Sequence, residues 1–403
     1  MTSRILTLSV NRELAPQPVM PIGAAWVAEA LHQARFEVNL LDLCFEKKPL
    51  RRLAGVVQAF KPNGVAVSIR NIDNCDFIAP RTFLPQIKEI IDCLKSSTNA
   101  PILIGGSGVS IMPLQILDYL DLEYAVAGEG EEAVVRFFQA DDAATAGGIP
   151  GLVCRGGTVE PAGNCELSPD LVVPHIHRWI DTSRYLRLEP VMPVQGKRGC
   201  ANRCLYCTYN RIEGEKWRLR EPAAVVEEIL AAMADTQARE FEFVDSVFNQ
   251  PAGYLEALLE EIIRRQVKAK LHVSSVTPKG LTKEQVELME KAGVASVVIT
   301  PEAASDVTLA ALRKDFTAED VTKAAELFAR STIKALWCFL VGGPKEDPRT
   351  LDETISFINN RIGKKDTEFI TTGIRIYPKT GLHEVAIREG IVQRGDSLLM
   401  PSF

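Results

Sequence analysis

The sequence predicts an α/β protein in which a doubly wound, Rossmann-like parallel sheet is followed by a partial, TIM-like barrel of six βα units. The 403 residues, 46% hydrophobic and 24% charged, have the composition of a globular protein with two or three domains. Residues 1–140 and 191–403 each alternate short β-branched runs with helical periodicity. Residues 141–190 interrupt that alternation, and we expect a linker with a small hairpin there.

The first 140 residues are predicted to form five strands that alternate with helices. β-Branched runs predict strands at Ile5–Val10, Glu37–Leu43, Gly64–Ser68, Pro101–Ile104 and Tyr124–Ala127. Apolar residues at helical spacing predict helices at Gly23–Ala34, Leu50–Phe60, Phe83–Leu94, Pro113–Tyr119 and Glu131–Gln139. Because ligands of such sheets bind beyond the carboxyl ends of the strands, we expect loops 11–20, 70–80 and 105–113 to face one crevice.

A second alternation begins at Val191. Strands are predicted at Val191–Gln195, Glu240–Val244, Lys270–Val273, Ser296–Thr300, Lys334–Leu340 and Phe369–Ile376. Helices are predicted at Pro222–Ala234, Tyr254–Gln266, Lys283–Ala292, Ala318–Arg330, Leu351–Ile362 and Leu382–Glu389. Six such units form an open barrel, and barrel enzymes carry their chemistry at the carboxyl ends of the strands. His272, on the third of these strands, is expected to be a hydrogen-bonded interior histidine.

Charge and hydropathy disfavour two classes of partner. The 46 basic and 52 acidic residues give a net charge of −6, without the basic excess that neutralises nucleic-acid phosphates. The longest uncharged stretch, Ser96–Leu117, is interrupted by prolines and glycines, so we expect no membrane span. The first residues lack the apolar core and the cleavage site of a signal peptide, and we therefore expect a cytoplasmic protein.

The nine cysteines divide into a scattered set and a cluster. The scattered ones are predicted to be small buried hydrophobic residues: Cys44, Cys75, Cys93, Cys154, Cys165 and Cys338. The other three, Cys200, Cys204 and Cys207, form a C-x3-C-x2-C pattern. Three thiolates on one loop suit a cubane iron–sulfur cluster whose fourth iron has no protein ligand, and such an open iron marks a catalytic site. A structural zinc site is the alternative, but residues 208–216 contain no fourth cysteine or histidine.

The cysteine pattern, with Tyr206 directly before the last cysteine, resembles the signature of the radical S-adenosylmethionine (radical SAM) superfamily. Further segments resemble that superfamily's SAM-binding segments in the expected order: residues 217–222, 241–249, 299–309, 339–347 and 376–382. The resemblance covers residues 192–390. It implies a 4Fe-4S cluster on Cys200, Cys204 and Cys207, which reductively cleaves SAM to a carbon radical.

The resemblance also implies which residues surround SAM. Tyr206, Asp245, Ser246 and Glu302 are the expected cofactor-binding residues of the barrel. Asp245 and Ser246 could instead cap a loop. Glu302 could instead be an ordinary solvated carboxylate without a role in the site. No further catalytic residue is assigned.

Residues 1–140 resemble the cobalamin-binding domain that precedes the barrel in one class of radical SAM enzymes. The matching segments are residues 21–26, 67–74, 105–113 and 127–131. They imply cobalamin contacts from Ser68, Gly105, Gly106, Ser107 and Glu129. The D-x-H-x-x-G motif that supplies a histidine to cobalt is absent, and Ser107-Gly108 departs from the related sequences. A domain that keeps the fold without cobalamin is therefore the alternative.

These resemblances imply a cobalamin-dependent radical SAM enzyme that methylates a small metabolite. The alternative is a cobalamin-free radical SAM enzyme that catalyses rearrangement, ring formation or 3-amino-3-carboxypropyl transfer. A third hypothesis is a cobalamin-sensing or carrier protein with an inert barrel. The enzyme hypotheses imply a small-molecule substrate and a reducing partner such as flavodoxin or ferredoxin.

Overall fold

Parallel strands form the centre of the N-terminal part of the chain. The computed structural model describes residues 3–140, 148–157 and 175–403. The strands are β1 (Arg4–Ser9), β2 (Glu37–Asp42), β3 (Gly64–Ser68), β4 (Ile102–Gly105), β5 (Tyr124–Val126) and β6 (Leu152–Cys154). In the described part of the chain their spatial order is β2-β1-β3-β4-β5-β6, with β1 to β5 parallel and β6 antiparallel to β5.

Helices connect these strands. They are α1 (Ile22–Gln33), α2 (Pro49–Phe60), α3 (Leu84–Ser97), α4 (Ser107–Ile111), α5 (Pro113–Leu120), α6 (Glu131–Gln139), α7 (Ile176–Trp179) and α8 (Thr182–Leu186). Since β1 to β2 crosses the sheet in one direction and β2 to β3 in the other, right-handed crossovers place α1 and α2 on opposite faces. α1 packs against α6, and α2 packs against α3. The predicted doubly wound sheet is confirmed.

The described residues divide into two compact units whose chain segments interleave. The N-terminal unit comprises the described parts of Met1–Asn74, Arg81–Glu189 and Arg211–Gly214. The barrel unit comprises Cys75–Pro80, Pro190–Asn210 and Glu215–Phe403. The short segment Cys75–Pro80 therefore belongs to the barrel unit, although it lies between β3 and α3 in the chain.

Part of the predicted linker is built into the N-terminal unit. β6 pairs with the edge strand β5, and the second predicted hairpin strand, around Thr158–Pro161, lies outside the described residues. After that gap, the Trp179 indole N–H donates to Glu29 over 2.9 Å. The Tyr185 hydroxyl, in a side chain only 2% exposed, donates to Asp42 over 2.6 Å. Burial nevertheless raises the pKa of Asp42, because desolvation outweighs this hydrogen bond.

The barrel unit contains a second parallel sheet. Its elements are β7 (Val191–Val194), β8 (Lys197–Arg198), β9 (Arg218–Leu219), β10 (Glu240–Phe243), β11 (Lys270–Val276), β12 (Val294–Glu302), β13 (Lys334–Val341) and β14 (Thr367–Thr372). Within the described residues the order β7-β10-β11-β12-β13-β14 forms the predicted open, six-stranded partial barrel. β8 and β9 form a separate antiparallel pair.

Helices of the barrel unit follow the strands. They are α9 (Tyr209–Ile212), α10 (Pro222–Thr236), α11 (Tyr254–Arg264), α12 (Lys283–Lys291), α13 (Asp306–Ala311), α14 (Ala318–Ala329), α15 (Pro348–Arg361) and α16 (Gly381–Arg388). Side-chain caps determine where three of them begin. Thr282, Thr317 and Asp347 each accept a backbone N–H three residues later and complete a capping box.

The two faces of the barrel sheet differ in composition. Trp337 and Phe339 of β13 are fully buried and stack near Phe357 of α15, with ring centroids 5.9 and 6.2 Å apart. The alternate residues of the strands therefore form an inner face, opposite the helices. His272 lies on this inner face, where it hydrogen bonds to Ser296 over 2.6 Å and to Glu240 over 2.9 Å. The predicted hydrogen-bonded interior histidine is confirmed.

A buried ion pair anchors the loop that follows β7. Lys197 and Asp245 have fully buried side chains, and the Lys197 ammonium donates to Asp245 over 3.0 Å. Asp245 also accepts the backbone N–H groups of Gly196 and Lys197, at 2.7 and 3.2 Å. The Tyr254 hydroxyl donates to the carbonyl of Gly196. The Lys197 ammonium lies 5.5 and 5.2 Å from the ring centroids of Phe248 and Tyr254. Charge, hydrogen bonds and aromatic contacts thus fix the first residues of this loop.

Several elements differ from the sequence prediction. α4 and α13 occupy segments expected to be loops, because each is a helix of only five or six residues without a full period of apolar positions. β14 ends at Thr372, four residues earlier than predicted, where Gly373 adopts a φ of +75°. Arg375, placed in the predicted strand, instead donates to the carbonyls of Ile376 and Leu398.

The prediction for the scattered cysteines was largely wrong. Among those in the described residues, Cys44 is buried, Cys93 and Cys338 are half-buried, and Cys75 and Cys154 are exposed. Cys75 adopts a φ of +52° in a loop, and Cys154 lies on the edge strand β6. Local apolar sequence did not reveal that both lie at the surface.

None of the helices in the described parts of the chain has the length and apolar character needed to cross a membrane.

Replacing Tyr185 by Phe should loosen α7 and α8. The half-buried Asp42 carboxylate loses the donor 2.6 Å away, which costs about 1–3 kcal/mol of unfolding free energy. Amide hydrogen exchange over residues 176–186 measures this loss of protection. Tyr119→Phe, at an exposed position, is the matched control. Unchanged protection in Tyr185→Phe would contradict the assigned role.

Replacing Lys197 by Met should destabilise the barrel unit by about 3–5 kcal/mol, because Asp245 is left charged and buried without its cation. Denaturant unfolding, with hydrogen exchange over residues 196–207, checks the value. Lys216→Met removes an exposed lysine and should change little. Combining Lys197→Met with Asp245→Asn removes the uncompensated charge, so the double variant should recover part of the lost stability. A double variant no more stable than Lys197→Met would refute this electrostatic explanation.

Candidate functional site

Three cysteines follow the anchored loop at the carboxyl end of β7. Burial, followed by the neighbouring sulfurs of Cys204 and Cys200, raises the pKa of the Cys207 thiol to about 11. The three thiols are therefore close enough to repel one another as thiolates. Residues 208–216 contain no cysteine or histidine as a fourth ligand, so the three thiols suit a cluster with an open iron better than a structural zinc site.

Backbone contacts hold the cysteine loop from two sides. The Leu205 N–H donates to the carbonyl of Leu312 over 2.9 Å, and the Leu382 N–H donates to the carbonyl of Leu205 over 2.8 Å. Gly381 is required beside this contact, because a Cβ atom there would lie 2.7 Å from Leu205. Cys207 N–H donates to the carbonyl of Cys204 over 3.2 Å and closes the turn between them. The loop geometry therefore depends on residues more than 100 positions away.

A buried triad of polar side chains lies against the cysteines. The Tyr206 hydroxyl donates to Glu302 over 2.7 Å. The Lys314 ammonium donates to Glu302 over 3.2 Å and to the Tyr206 hydroxyl over 3.1 Å. Burial opposes the charge of Lys314, but Glu302 and the sulfurs of Cys204 and Cys207 outweigh it and raise its pKa. Burial and then Glu302 raise the pKa of Tyr206. Lys314 thus places a positive charge among groups that are negative when ionised.

The structure brings Tyr206 and Glu302 together, as the sequence led us to expect for one site. Glu302 is buried rather than solvated, and its φ of +68° is a strained conformation for a non-glycine residue. Lys314 lies 12 residues after Glu302 in the turn following α13, and it is not among the residues predicted for the site. A lysine near an apolar helix end has no sequence feature that separates it from a surface residue.

Asp245 and Ser246 both bind the cysteine loop. The Asp245 carboxylate is engaged by Lys197 and two backbone N–H groups. The Ser246 hydroxyl donates to the carbonyl of Gly199 over 2.8 Å, directly before Cys200. Loop capping is therefore the role that the geometry displays, and a contact with SAM stays a prediction.

The residues predicted to contact cobalamin lie at the carboxyl edge of the N-terminal sheet, in the loops after β3, β4 and β5. Gly106 has a φ of +102°, and a Cβ atom there would lie 2.7 Å from the carbonyl oxygen of Ile69. The Ser107 hydroxyl donates to the carbonyl of Arg70 over 2.8 Å. Gly106 and Ser107 thus join the β4 loop to the β3 loop.

The other predicted cobalamin residues border the same edge. Gly105 ends β4 and accepts the Ile69 N–H over 2.8 Å, and Ser68 ends β3. Glu129 lies just before α6 and is half-buried. The loops after β3, β4 and β5 therefore meet at one edge, and direct cobalamin contacts by these residues stay predictions.

Solved structures share the fold of this chain. The radical S-adenosylmethionine methyltransferase TsrM from Kitasatospora setae, with cobalamin and a 4Fe-4S cluster bound, is 26% identical and superimposes with a TM-score of 0.86 over 97% of this chain and 76% of that chain. The cobalamin-dependent S-adenosylmethionine radical enzyme OxsB, at 15% identity, shares the fold with a TM-score of 0.76 over 100% of this chain and 64% of that chain.

A curated relative extends the comparison by sequence. Tryptophan 2-C-methyltransferase of Streptomyces laurentii is 26% identical over 310 residues, which are 64% of this chain and 52% of the relative. The chain thus matches about half of the length of that protein.

Two family models match separate parts of the chain. The B12 binding domain matches residues 9–138, which include β1 to β5 of the N-terminal sheet. The Radical SAM superfamily model matches residues 194–358, which include the three cysteines and the Tyr206–Glu302–Lys314 triad. The chain therefore carries a radical SAM domain at residues 194–358 and an N-terminal B12-binding domain at residues 9–138.

Proposed function

We propose that this protein is a cobalamin-dependent methyltransferase that takes a methyl group from SAM and transfers it to a small metabolite. The three cysteine thiols beside a buried cation, in a chain that also has a B12-binding domain, carry this proposal. The methyltransferase names of two similar proteins support methyl transfer as the reaction. The B12-binding domain favours this reaction over the cobalamin-free alternatives.

The residues of the barrel unit fit an iron–sulfur cluster. Cys200, Cys204 and Cys207 would hold it, because they are three mutually close thiols on one loop and residues 208–216 offer no fourth cysteine or histidine. When bound, the cluster supplies the electron for SAM cleavage, and cobalamin supplies a methyl carrier. Lys314 partly neutralises the thiolates, and its own charge is held by Glu302 and Tyr206.

SAM is assigned to the same end of the barrel. Glu302 uses one carboxylate oxygen, Oε1, for both Tyr206 and Lys314. No hydrogen bond to its other oxygen is found among the described residues, which supports Glu302 as an acceptor for a SAM hydroxyl or ammonium group. Ser246 and Asp245 would influence SAM binding indirectly, because they fix the backbone of the cysteine loop.

Cobalamin is assigned to the carboxyl edge of the N-terminal sheet. Ser68, Gly105, Gly106, Ser107 and Glu129 border this edge. The backbone bonds among the β3, β4 and β5 loops give the edge a fixed shape, which suits a large rigid ligand. The chain lacks the D-x-H-x-x-G motif, so the binding that we propose uses no histidine from that motif as a cobalt ligand.

The proposed reaction also requires a reducing partner and a reducing cellular compartment. The cluster requires an electron donor, for which flavodoxin or ferredoxin has suitable chemistry. The exposed thiols of Cys75 and Cys154 suit the reducing cytoplasm rather than an oxidising compartment.

Anaerobic reconstitution tests the proposal. The protein should bind about four iron and four sulfide per chain. It should also bind corrinoid near one per chain, visible by absorbance. With the correct acceptor it should convert one SAM to S-adenosylhomocysteine, by methyl transfer, and another to methionine and 5′-deoxyadenosine, by reductive cleavage with the electron that the cluster would supply. Replacing Cys200, Cys204 and Cys207 together by Ala should abolish iron binding, and Cys338→Ala, at a half-buried thiol of β13, is the control. A reconstituted protein without corrinoid absorption would disprove the cobalamin-dependent function.

Replacing Lys314 by Met should lower the reduction potential of the bound cluster. Removing a buried positive charge beside Cys204 and Cys207 makes the addition of an electron less favourable. Electron paramagnetic resonance during a redox titration measures the potential. Lys279→Met, at a half-exposed ion pair in the same unit, should leave it unchanged. Equal potentials in the wild type and Lys314→Met would show that Lys314 does not influence the cluster.

A further inference from the structure

The inner face of the barrel sheet has two chemically different sides. Polar residues lie on β10 and β11, where Glu242 pairs in register with His272. Apolar residues lie on β13, where Leu336, Cys338 and Leu340 alternate with the helix-facing residues. Phe369 of β14 pairs in register with Cys338, so it lies on the same face, and it is 59% exposed. A ligand inside the barrel therefore meets a polar side and an apolar side.

The polar residues nearest the bottom of the barrel satisfy one another. Glu240 accepts from Lys270 over 3.0 Å and is bonded to His272, which is bonded in turn to Ser296. Lys270 and His272 hold the pKa of Glu240 below its usual range. This group has its charges balanced internally and needs no ligand.

Glu242 differs, because its charge is not balanced by the protein. Within the described parts of the chain, its carboxylate accepts one hydrogen bond, from the Ser274 hydroxyl over 2.7 Å. Throughout the described residues it has no lysine, arginine or histidine as an ion-pair partner. Its side chain is half-buried, on strand β10 between the fully buried Phe241 and Phe243. A carboxylate in this position gains from a cationic group that replaces water.

Glu242 is also at the reactive end of the barrel. It pairs in register with Pro193 of β7, one residue before that strand ends and the loop to Cys200 begins. It precedes Asp245, which anchors that loop, by three residues. The carboxyl ends of barrel strands are where substrates bind.

We propose that Glu242, oriented by Ser274, binds a protonated amine of the substrate, whose apolar body lies against Leu340 and Phe369. The substrate class is thus a small primary or secondary amine with a hydrocarbon or aromatic body. This inference rests on the proposed function for the identity of the reaction, and it adds the chemical class of the acceptor. Glu242 is a specificity-determining residue in this assignment, and the proton remains on the amine.

Paired ligands test this assignment in the reconstituted protein with cluster, cobalamin and SAM present. The probes are 2-phenylethylamine, 3-phenylpropylamine and hexylamine, each compared with its N-acetyl form, which keeps the body and removes the charge. Equilibrium dialysis measures their dissociation constants. The wild type should prefer at least one amine over its N-acetyl form by about tenfold, which is about 1.4 kcal/mol.

Variants identify the source of the preference. Glu242→Gln keeps the shape of the side chain and the bond from Ser274, and it should reduce the preference to within twofold. Ser274→Ala should weaken amine binding without abolishing the preference. Glu260→Gln removes an exposed helical carboxylate and should behave as the wild type. SAM affinity should stay within twofold in all variants.

Four outcomes would overturn the inference. They are no amine preference in the wild type, a preference that persists in Glu242→Gln, loss of the preference in Glu260→Gln, and weakened SAM binding in Glu242→Gln, which would assign the carboxylate to SAM. A failure of the proposed function gives a different result, since it is read from corrinoid absorption and S-adenosylhomocysteine. A protein that binds cobalamin without amine preference contradicts this inference alone.

Discussion

The buried ion pair between Lys197 and Asp245 is the interaction on which the cysteine loop depends. Two charges removed from water are costly unless hydrogen bonds and partners surround them. Here the surroundings are complete, because Asp245 takes two backbone N–H groups and Lys197 reaches the carbonyl of Phe248 and two aromatic rings. The pair joins β10 to the residues directly before the first cysteine. By fixing the start of the loop, the ion pair helps to hold the three cysteines in place.

A second buried cation completes the electrostatics of the site. Lys314 contacts Glu302 and Tyr206, and it lies near enough to Cys204 and Cys207 to interact with their charges. The two lysines have different roles. Lys197 is fully neutralised by Asp245 and shapes the backbone, whereas Lys314 is shared between a carboxylate and the thiols. The backbone of Glu302 is strained at the end of β12, where its carboxylate contacts this lysine.

Sequence periodicity predicted most of the architecture because both sheets are parallel and buried. The β-branched runs of β1, β3 and β12 contain core positions at regular spacing, and their predicted bounds lie within two residues of those observed. The cysteine spacing and Tyr206 predicted the centre of the site, because these residues are close together in the sequence and form a recognisable pattern there. Lys197, Lys314 and Glu242 could not be predicted in this way. Their hydrogen-bond partners lie 48, 12 and 32 positions away in the sequence, respectively, and Glu242 is further distinguished by having no cationic partner among the described residues. These relations exist only in the folded chain.

The segment Cys75–Pro80 belongs to the barrel unit, but in the sequence it lies between two segments of the N-terminal unit. Although β3 and α3 flank it, Phe77 stacks on Phe403 at 5.5 Å, and Gly373 has no room for a side chain beside Phe77. The barrel unit therefore includes residues encoded more than 100 positions before its first strand. A cut at Pro190 yields two incomplete fragments instead of two domains. Without residues 75–80, a barrel fragment that begins at Pro190 would lack the Phe77 ring that packs against Phe403 and Gly373.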